Sequence, residues 1–379
     1  MKMNLSEIPS PSYVLDEELF ERNLSIIQEV AQKSGVEIIM ALKGFALWKV
    51  FPTLKQYIRG AAASGEYEAQ LINDELGFKA HTFCPSITEQ NIHPIARLSS
   101  HITFNSFSQY DRFKGTIQSC YPDISMGIRI NPEYSEVETD LYNPCAPGSR
   151  LGVGIDEMPA KLPEGVEGIH FHTLCESRAT DLMATLKAVE QKFGAYLYQA
   201  KWINMGGGHL MTHREYDREL LIETLKNFRK KFAIDIILEP GAAFVWETGY
   251  LVAAVTDIVE NKGIKTAILD VSFTAHMPDC LEMPYKPKII GAIEPNSSLP
   301  TYRMGGNSCL AGDFMGDWSF EKPLKTGDKI VFLDMIHYTM VKTTMFNGVA
   351  HPNIGMWTRQ NRFELIRAFG YSDYKNRLS

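Results

Sequence analysis

The sequence predicts an α/β protein, a (β/α)8 TIM-like barrel joined to a second, all-β C-terminal domain. Three observations predict it. Short apolar runs alternate with segments of helical period from residue 37 to residue 238, the pattern of strand–helix units wound into a parallel sheet. Eight such runs fit within about 230 residues, the usual length of a barrel, although an open doubly wound sheet shares the rhythm. Past Tyr250 the helical period gives way to short β-type runs separated by Pro and Gly. The barrel is expected over residues 18–252, and a β-sandwich or β-barrel domain over residues 1–17 plus 253–379.

In chain order, an extended piece, Ser12-Tyr-Val-Leu, leads into a helix that Asp16 can cap, with Leu19, Asn23 and Ile26-Ile27 at roughly helical spacing. Glu37 to Lys43 is an apolar run bounded by Gly35 and Gly44 and reads as a buried strand, with Lys43 where it leaves the core. Further strand-like runs are Gly60 to Ser64, Lys79 to Pro85, His101 to Asn105, Ile124 to Ile130, Val166 to His172, Trp202 to Met205 and Ile234 to Leu238. Helical patterns lie between most of them, at Leu47 to Tyr57, Tyr67 to Leu76, Glu89 to Leu98, Ser108 to Ser119, Thr180 to Phe193 and Arg214 to Phe232. Asn131 to Pro147 breaks the rhythm, being rich in Pro, Glu, Asp and Tyr without helical period. A lid, an interface segment and a disordered insertion are all open for it. The β-type runs of the C-terminal part are Tyr250 to Ile258, Thr266 to Val271, Lys288 to Ile293 and Lys329 to Leu333.

With 379 residues, 45% of them hydrophobic, the chain can bury a substantial core. Its net charge of -7 and the lack of a dense Lys/Arg run argue against nucleic-acid binding, and Lys226 to Lys231 reads as a solvated helix face. No apolar run approaches the roughly 20 residues of a membrane helix, and no secretory pattern opens the chain, so a cytoplasmic protein is expected. Six cysteines (Cys84, Cys120, Cys145, Cys175, Cys280, Cys309) lack a C-x-x-C pair and are expected to be free thiols. No metal site is expected, because only His170 and His172 offer a pair of ligands at the strand ends.

Barrel enzymes carry their chemistry at the C-terminal ends of the strands. Those ends are Lys43, Ser64, Arg129, His172, Gly206-Gly207-Gly208 and Glu239. Individually each has an ordinary reading: a solvated strand-end lysine, a hydrogen-bonded histidine, an acid capping a turn. Together they place an amine, a flat ring, a glycine-rich turn before a helix and a carboxylate on one rim. The Asn204-Met-Gly-Gly-Gly-His turn lacks the dinucleotide and Walker spacings, so a single phosphate monoester suits it better. A lysine, one phosphate and a carboxylate suggest pyridoxal 5′-phosphate, whose aldehyde bonds to an amine and whose ring nitrogen pairs with an acid.

On these residues the sequence resembles the fold-type III pyridoxal-phosphate decarboxylases, the group of ornithine, arginine and diaminopimelate decarboxylases, over nearly its whole length. The resemblance implies an alanine racemase-like barrel plus β domain. It makes Lys43 the lysine that binds the cofactor aldehyde, His172 of Gly168-Ile-His-Phe-His the ring-stacking histidine and Gly206, Gly207 and Gly208 the phosphate glycines. Glu239 of Glu-Pro-Gly becomes the partner of the pyridine nitrogen, Tyr338 a late phosphate tyrosine followed by Phe346-Asn-Gly, and Cys175, close after His172, a further cofactor contact. Gly305-Gly-Asn-Ser-Cys309-Leu-Ala-Gly-Asp313 resembles the segment that brings a catalytic Cys into the neighbouring subunit's site, implying a homodimer with shared sites. Two features depart from the wider group: Ala242 stands where an Arg often follows Glu-Pro-Gly, and Ala61-Ala62-Ala63 replaces a run that often holds an Asp.

Within the group, Ala41-Leu-Lys-Gly-Phe, His170-Phe-His-Thr-Leu-Cys-Glu and His276-Met-Pro-Asp-Cys-Leu-Glu-Met-Pro-Tyr are similar to the members acting on the carboxylated polyamines carboxynorspermidine and carboxyspermidine. That implies decarboxylation in polyamine biosynthesis, with Cys309 returning a proton to the substrate carbon. It also implies acids for the substrate's distal amines, Asp313 first, then Asp279 and Glu282. Arg129 reads equally as a hydrogen-bond donor in the site or a structural ion pair. An ornithine- or diaminopimelate-type decarboxylase, an alanine-racemase-like enzyme and a non-catalytic polyamine-binding homologue are the rival readings.

Overall fold

The computed structural model describes residues 3–379. Two compact units divide the chain, one of Asn23–Phe244 and one of Met1–Arg22 with Val245–Ser379. Strand β1 (Ser12–Asp16) belongs to the second unit. The first unit holds β2 (Glu37–Ile38), β3 (Met40–Ala41), β4 (Ala61–Ala63), β5 (Ala80–Phe83), β6 (Ser99–Phe104), β7 (Ser125–Arg129), β8 (Val166–His170), β9 (Trp202–Asn204) and β10 (Asp235–Leu238). They form one parallel sheet in the order β2-β10-β9-β8-β7-β6-β5-β4-β3.

β2 and β3 are two halves of one strand parted at Ile39, and this break closes the sheet. The Ile39 amide donates to the carbonyl of Leu238 (2.9 Å), in the last strand, and the next amide, Met40, to the carbonyl of Gly60 (3.4 Å), just before the second. The sheet is therefore a closed eight-stranded barrel, and the open-sheet alternative falls away. Its connecting helices follow the expected pattern. Phe107–Cys120 is capped by the Ser106 hydroxyl, which accepts the Gln109 amide (3.2 Å), and Arg218–Phe232 by Asp217, which accepts that of Leu220 (2.9 Å). The segment 131–147 contains one short 3-10 turn, Asp140–Tyr142. It is tied to the barrel by the Ser135 hydroxyl, which donates to the carbonyl of Thr173 (2.6 Å), and by an ion pair between Glu133 and Lys192.

Residues two apart on a strand share a face, so the barrel interior fills in layers. Ile39, Ala41, Ala62, Trp202 and Ile237 pack together there. Trp202 takes the space of missing side chains: a Cβ on Gly168 would lie 2.0 Å from its ring, and one on Gly127 2.4 Å. Its indole N–H is satisfied by the Ser125 hydroxyl (2.8 Å). Beside it His81 and His101 stack with centroids 4.0 Å apart.

Two cations cannot stack in this way, and burial pushes the His81 imidazole down to about 3 and that of His101 down as well. Buried His209 and His276 are pushed to about 4. These groups bind protons in the unfolded chain near pH 6.5 but stay neutral in the fold, so stability is full above that pH and is lost as pH falls from about 6.5 toward 4. His81, His209 and His276 each cost roughly 2 kcal/mol by pH 5. Urea midpoints measured from pH 7.5 to 5 should fall, and less steeply for His81→Asn; a flat profile would contradict the neutral histidines.

The second unit contains β1 with β11 (Gly249–Asn261), β12 (Ile264–Leu269), β13 (Ala292–Ile293), β14 (Thr301–Gly305), β15 (Phe314–Phe320), β16 (Lys329–Leu333), β17 (Asn353–Trp357) and β18 (Phe363–Arg367). They run in the order β13-β15-β14-β12-β11-β1-β17-β18, with β16 also on β11. The pairs β1–β17 and β12–β14 are parallel and the rest antiparallel, so this is a mixed sheet. Met3, Ile8, Val14, Val252, Val331 and Trp357 form one of its core clusters. The expected strand at Lys288 to Ile293 shrinks to Ala292–Ile293, with a single bridge at Ile289.

Candidate active site

Lys43 lies two residues beyond β3, held between its neighbours by the backbone. The Ala41 amide donates to the carbonyl of Pro240 (3.1 Å) and that of Leu42 to Ala62 (3.2 Å). The chain then turns, backbone packed on backbone: a Cβ on Gly44 would lie 2.9 Å from the Cα of Gly241. This contact admits only glycine and brings Lys43 alongside Glu239-Pro240-Gly241.

The Lys43 Nζ is 3.1 Å from Nε2 of His172. On the far side of the ring Nδ1 accepts the Gly207 amide (3.1 Å), so Nε2 carries the ring proton and donates to the lysine nitrogen. An ammonium could not accept it. The electrostatics agree: burial pulls the Lys43 amine below its usual range, Glu239 opposing and Arg129 assisting. Burial, with Lys43 and Arg129 next in weight, holds His172 well below its ordinary value.

The glycine run lets three strand ends converge. A Cβ on Gly206 would lie 2.6 Å from that of His172, one on Gly207 2.5 Å from the Glu239 carbonyl oxygen, and one on Gly208 2.3 Å from the Leu174 backbone. Gly206 and Gly208 also have φ of +70° and +91°, where a side chain is strained. Two of the three amides are already committed, Gly206 to the Asn204 Oδ1 (2.9 Å) and Gly207 to His172. Among the described residues the Gly208 amide has no acceptor and can serve an anion.

Glu239 is anchored by the Asn204 amide, which donates to Oε1 (2.5 Å), and Oε2 faces the His170 Nε2 at 3.8 Å. Burial raises the Glu239 pKa, while the Asn204 hydrogen bond, Lys43 and Arg129 work against the rise. Of the two readings open for Arg129, the hydrogen-bond donor is the one its neighbours match. Its Nη2 donates to the carbonyl of His172 (3.2 Å), its guanidinium lies 4.6 Å over the Phe83 ring, and among the described residues its buried Nε meets no acceptor. Burial lowers it to about 10. Burial also raises the Cys175 thiol to about 11 against the pull of Lys43.

Three residues without an assigned role in the sequence stand here. His170 and Asn204 precede His172 and Gly206 by two, and strand alternation alone puts them on the same inward face. Glu68 lies on a helix: its carboxylate accepts the Ser64 amide (2.6 Å), and the register Ala41↔Ala62 sets Ser64 abreast of Lys43. Its charge supports that of Lys43.

In the second unit, Cys309 is exposed on the turn between β14 and β15. Tyr338 begins the short helix Tyr338–Val341. Asp279 is buried, its Oδ2 accepting the hydroxyls of Tyr285 (2.9 Å) and Thr339 (2.8 Å) and its Oδ1 sealed from solvent. Glu282 is paired with Lys342. Asp313 is buried and bonded wholly within its own unit.

A partly desolvated amine, a neutral imidazole, an anchored carboxylate and an open amide in a glycine turn fit pyridoxal 5′-phosphate. No group of three His, Cys, Asp or Glu among the described residues could hold a metal ion, and no helix is long and apolar enough to cross a membrane. The family described as pyridoxal-dependent decarboxylase, C-terminal sheet domain, matches residues 12–336, and the chain belongs to the pyridoxal-dependent decarboxylases. More particularly, it is 49% identical over 99% of its length to the carboxyaminopropylagmatine decarboxylase of Synechocystis sp., covering 96% of that protein. It is 42% identical over 99% of its length to the carboxynorspermidine/carboxyspermidine decarboxylase of Campylobacter jejuni, covering all of it. The crystal structure of the Campylobacter jejuni carboxynorspermidine decarboxylase complexed with norspermidine superposes with a TM-score of 0.91 at 41% identity, covering 98% of this chain and 100% of that one.

Proposed function

We propose that the chain releases CO2 from a carboxylated polyamine in polyamine biosynthesis, using pyridoxal 5′-phosphate. The observation that carries this is the buried Lys43 amine, its pKa lowered by burial, 3.1 Å from His172 Nε2, in a chain 42% and 49% identical to decarboxylases of such substrates. When bound, the cofactor supplies the electron sink that accepts the pair left by departing CO2. The Lys43 nitrogen, unprotonated, is the group that would hold its aldehyde as an imine, with loss of water. His172 presents the face of a neutral ring. Glu239, as a carboxylate, would hold a proton on the pyridine nitrogen, and the Gly208 amide, with Tyr338 of a second copy, would hold the phosphate. Cys309 of a second copy returns the proton to the substrate carbon.

Leu310, Phe314 and Phe346, on the Cys309 turn or beside the residue that holds it, are 46%, 43% and 48% exposed, an apolar surface that a second copy would cover. Mixing inactive Lys43→Ala with inactive Cys309→Ala protein should restore about a quarter of full activity, since random exchange makes half the dimers mixed and each has one intact site. Mixtures that stay dead after exchange would rule out sharing.

Carboxynorspermidine and carboxyspermidine differ by one methylene, which an apolar channel discriminates by only about 1–3 kcal/mol. The higher identity to the carboxyaminopropylagmatine enzyme favours a second reading, with a guanidinium in place of the distal ammonium. A CO2-release assay with the three carboxylated polyamines, diaminopimelate and ornithine decides. The proposal requires at least one of the first three to exceed both amino acids in kcat/KM, and fails if neither amines nor guanidine compound reacts.

A further inference from the structure

Asp313, the acid first expected to hold a distal substrate amine, has no capacity left for one. Oδ1 accepts the amides of Phe273 (2.7 Å) and Thr274 (3.2 Å), and Oδ2 accepts the amide (3.1 Å) and hydroxyl (2.6 Å) of Ser308. The main chain closes the same turn, the Gly306 amide donating to the carbonyl of Asp313 (2.7 Å) and the Asp313 amide to that of Leu310 (2.9 Å). A Cβ on Gly306 would stand 2.3 Å from the carboxylate, so a glycine there is what lets the acid fill the centre of the turn. Four donors occupy the four lone-pair positions of a carboxylate.

On the other side of Cys309, its amide donates to Oδ1 of Asn347 (2.8 Å), a residue itself held at φ +57°, where Asn is tolerated. Cys309 is thus the exposed tip of a turn clamped from within by Asp313 and from beyond by Asn347. We infer that Asp313 and Asn347 are positioning residues, which fix the backbone at Cys309 and so the aim of its thiol, and that the distal cation of the substrate is held by other groups. The inference rests on the reading of Cys309 as proton donor. A carboxylate is needed at 313 because an amide there would turn one acceptor into a donor facing an N–H or an O–H.

The test compares Asp313→Asn and Asn347→Ala with the parent, each as full-length, cofactor-loaded protein. Without substrate, the rate of Cys309 alkylation by iodoacetamide, mapped by mass spectrometry, should change by at least about threefold in both variants. In turnover, aldehyde formed per CO2 should rise, matched by cofactor left in its amine form, as the proton reaches the cofactor's carbon and hydrolysis leaves the substrate's nitrogen there. KM should move by one common factor for carboxynorspermidine and for a basic amino acid lacking its distal amine. Unchanged alkylation together with a KM rise on the order of tenfold confined to the polyamine would make Asp313 a substrate ligand and overturn the inference. Should Asp313→Asn fail to fold, Asn347→Ala alone decides by the same alkylation measurement. That measurement needs no turnover, so it reads the clamp even if the proposed substrates are wrong.

Discussion

Lys43→Ala is expected to lower CO2 release by on the order of 10³-fold or more, since it removes both the bond that holds the cofactor and a positioned proton-transfer group. The cause is local. Lys43 is held at the strand end between Pro240 and Ala62, and its nitrogen takes a hydrogen bond from the neutral His172 ring. An alanine there leaves the imidazole N–H without its acceptor but disturbs no buried backbone, so the variant should fold and melt close to the parent. Borohydride reduction with pyridoxal phosphate present, followed by peptide mapping, should place the adduct on residue 43 of the parent and nowhere in the variant. An adduct on another lysine, or a variant retaining a tenth of the parent's rate, would remove Lys43 from its role.

Glu239→Gln is expected to lower kcat by about 10²–10³-fold with little change in folding. Gln keeps an oxygen for the Asn204 amide, now at 2.5 Å from Oε1, and changes only the charge. The sign at Lys43 makes the experiment discriminating. Glu239 supports the lysine's charge, so its loss should depress the amine's pKa further and leave it neutral at lower pH. Cofactor attachment, followed by absorbance against pH, should therefore extend to more acidic solutions while turnover collapses. A variant that turns over normally, or that attaches cofactor only at higher pH than the parent, would exclude this role.

The barrel was legible because its strands are short, apolar and separated by helices with clear period and caps, so the ends that carry Lys43, Arg129, His172, Gly206 and Glu239 could be read directly. The β domain was less so. β14, β15 and β18 mix charged with apolar residues, as in Thr301-Tyr-Arg-Met-Gly and Phe363-Glu-Leu-Ile-Arg, because one face stays wet, and such runs resemble loops. Within the site, residue type and strand position indicated which groups meet, but not how their hydrogen bonds are spent. Nothing local in Gly206-Gly207-Gly208 says that the middle amide serves His172, and nothing in Asp313 says that a helix start takes one of its oxygens. Those are choices among long-range partners, 35 residues apart for Gly207 and His172 and 40 for Phe273 and Asp313.

The strand that carries Lys43 is also the seam of the barrel, its first half docked on β10 and its second on β4. A ribosome delivers residue 43 early and residues 235–241 much later, so in the growing polypeptide Lys43 is an ordinary lysine whose flanking wall has yet to be synthesised. Vitamin capture thus becomes a report on completion: fragments ending before Asp235 should retain no pyridoxal phosphate after gel filtration, whatever helices they have formed.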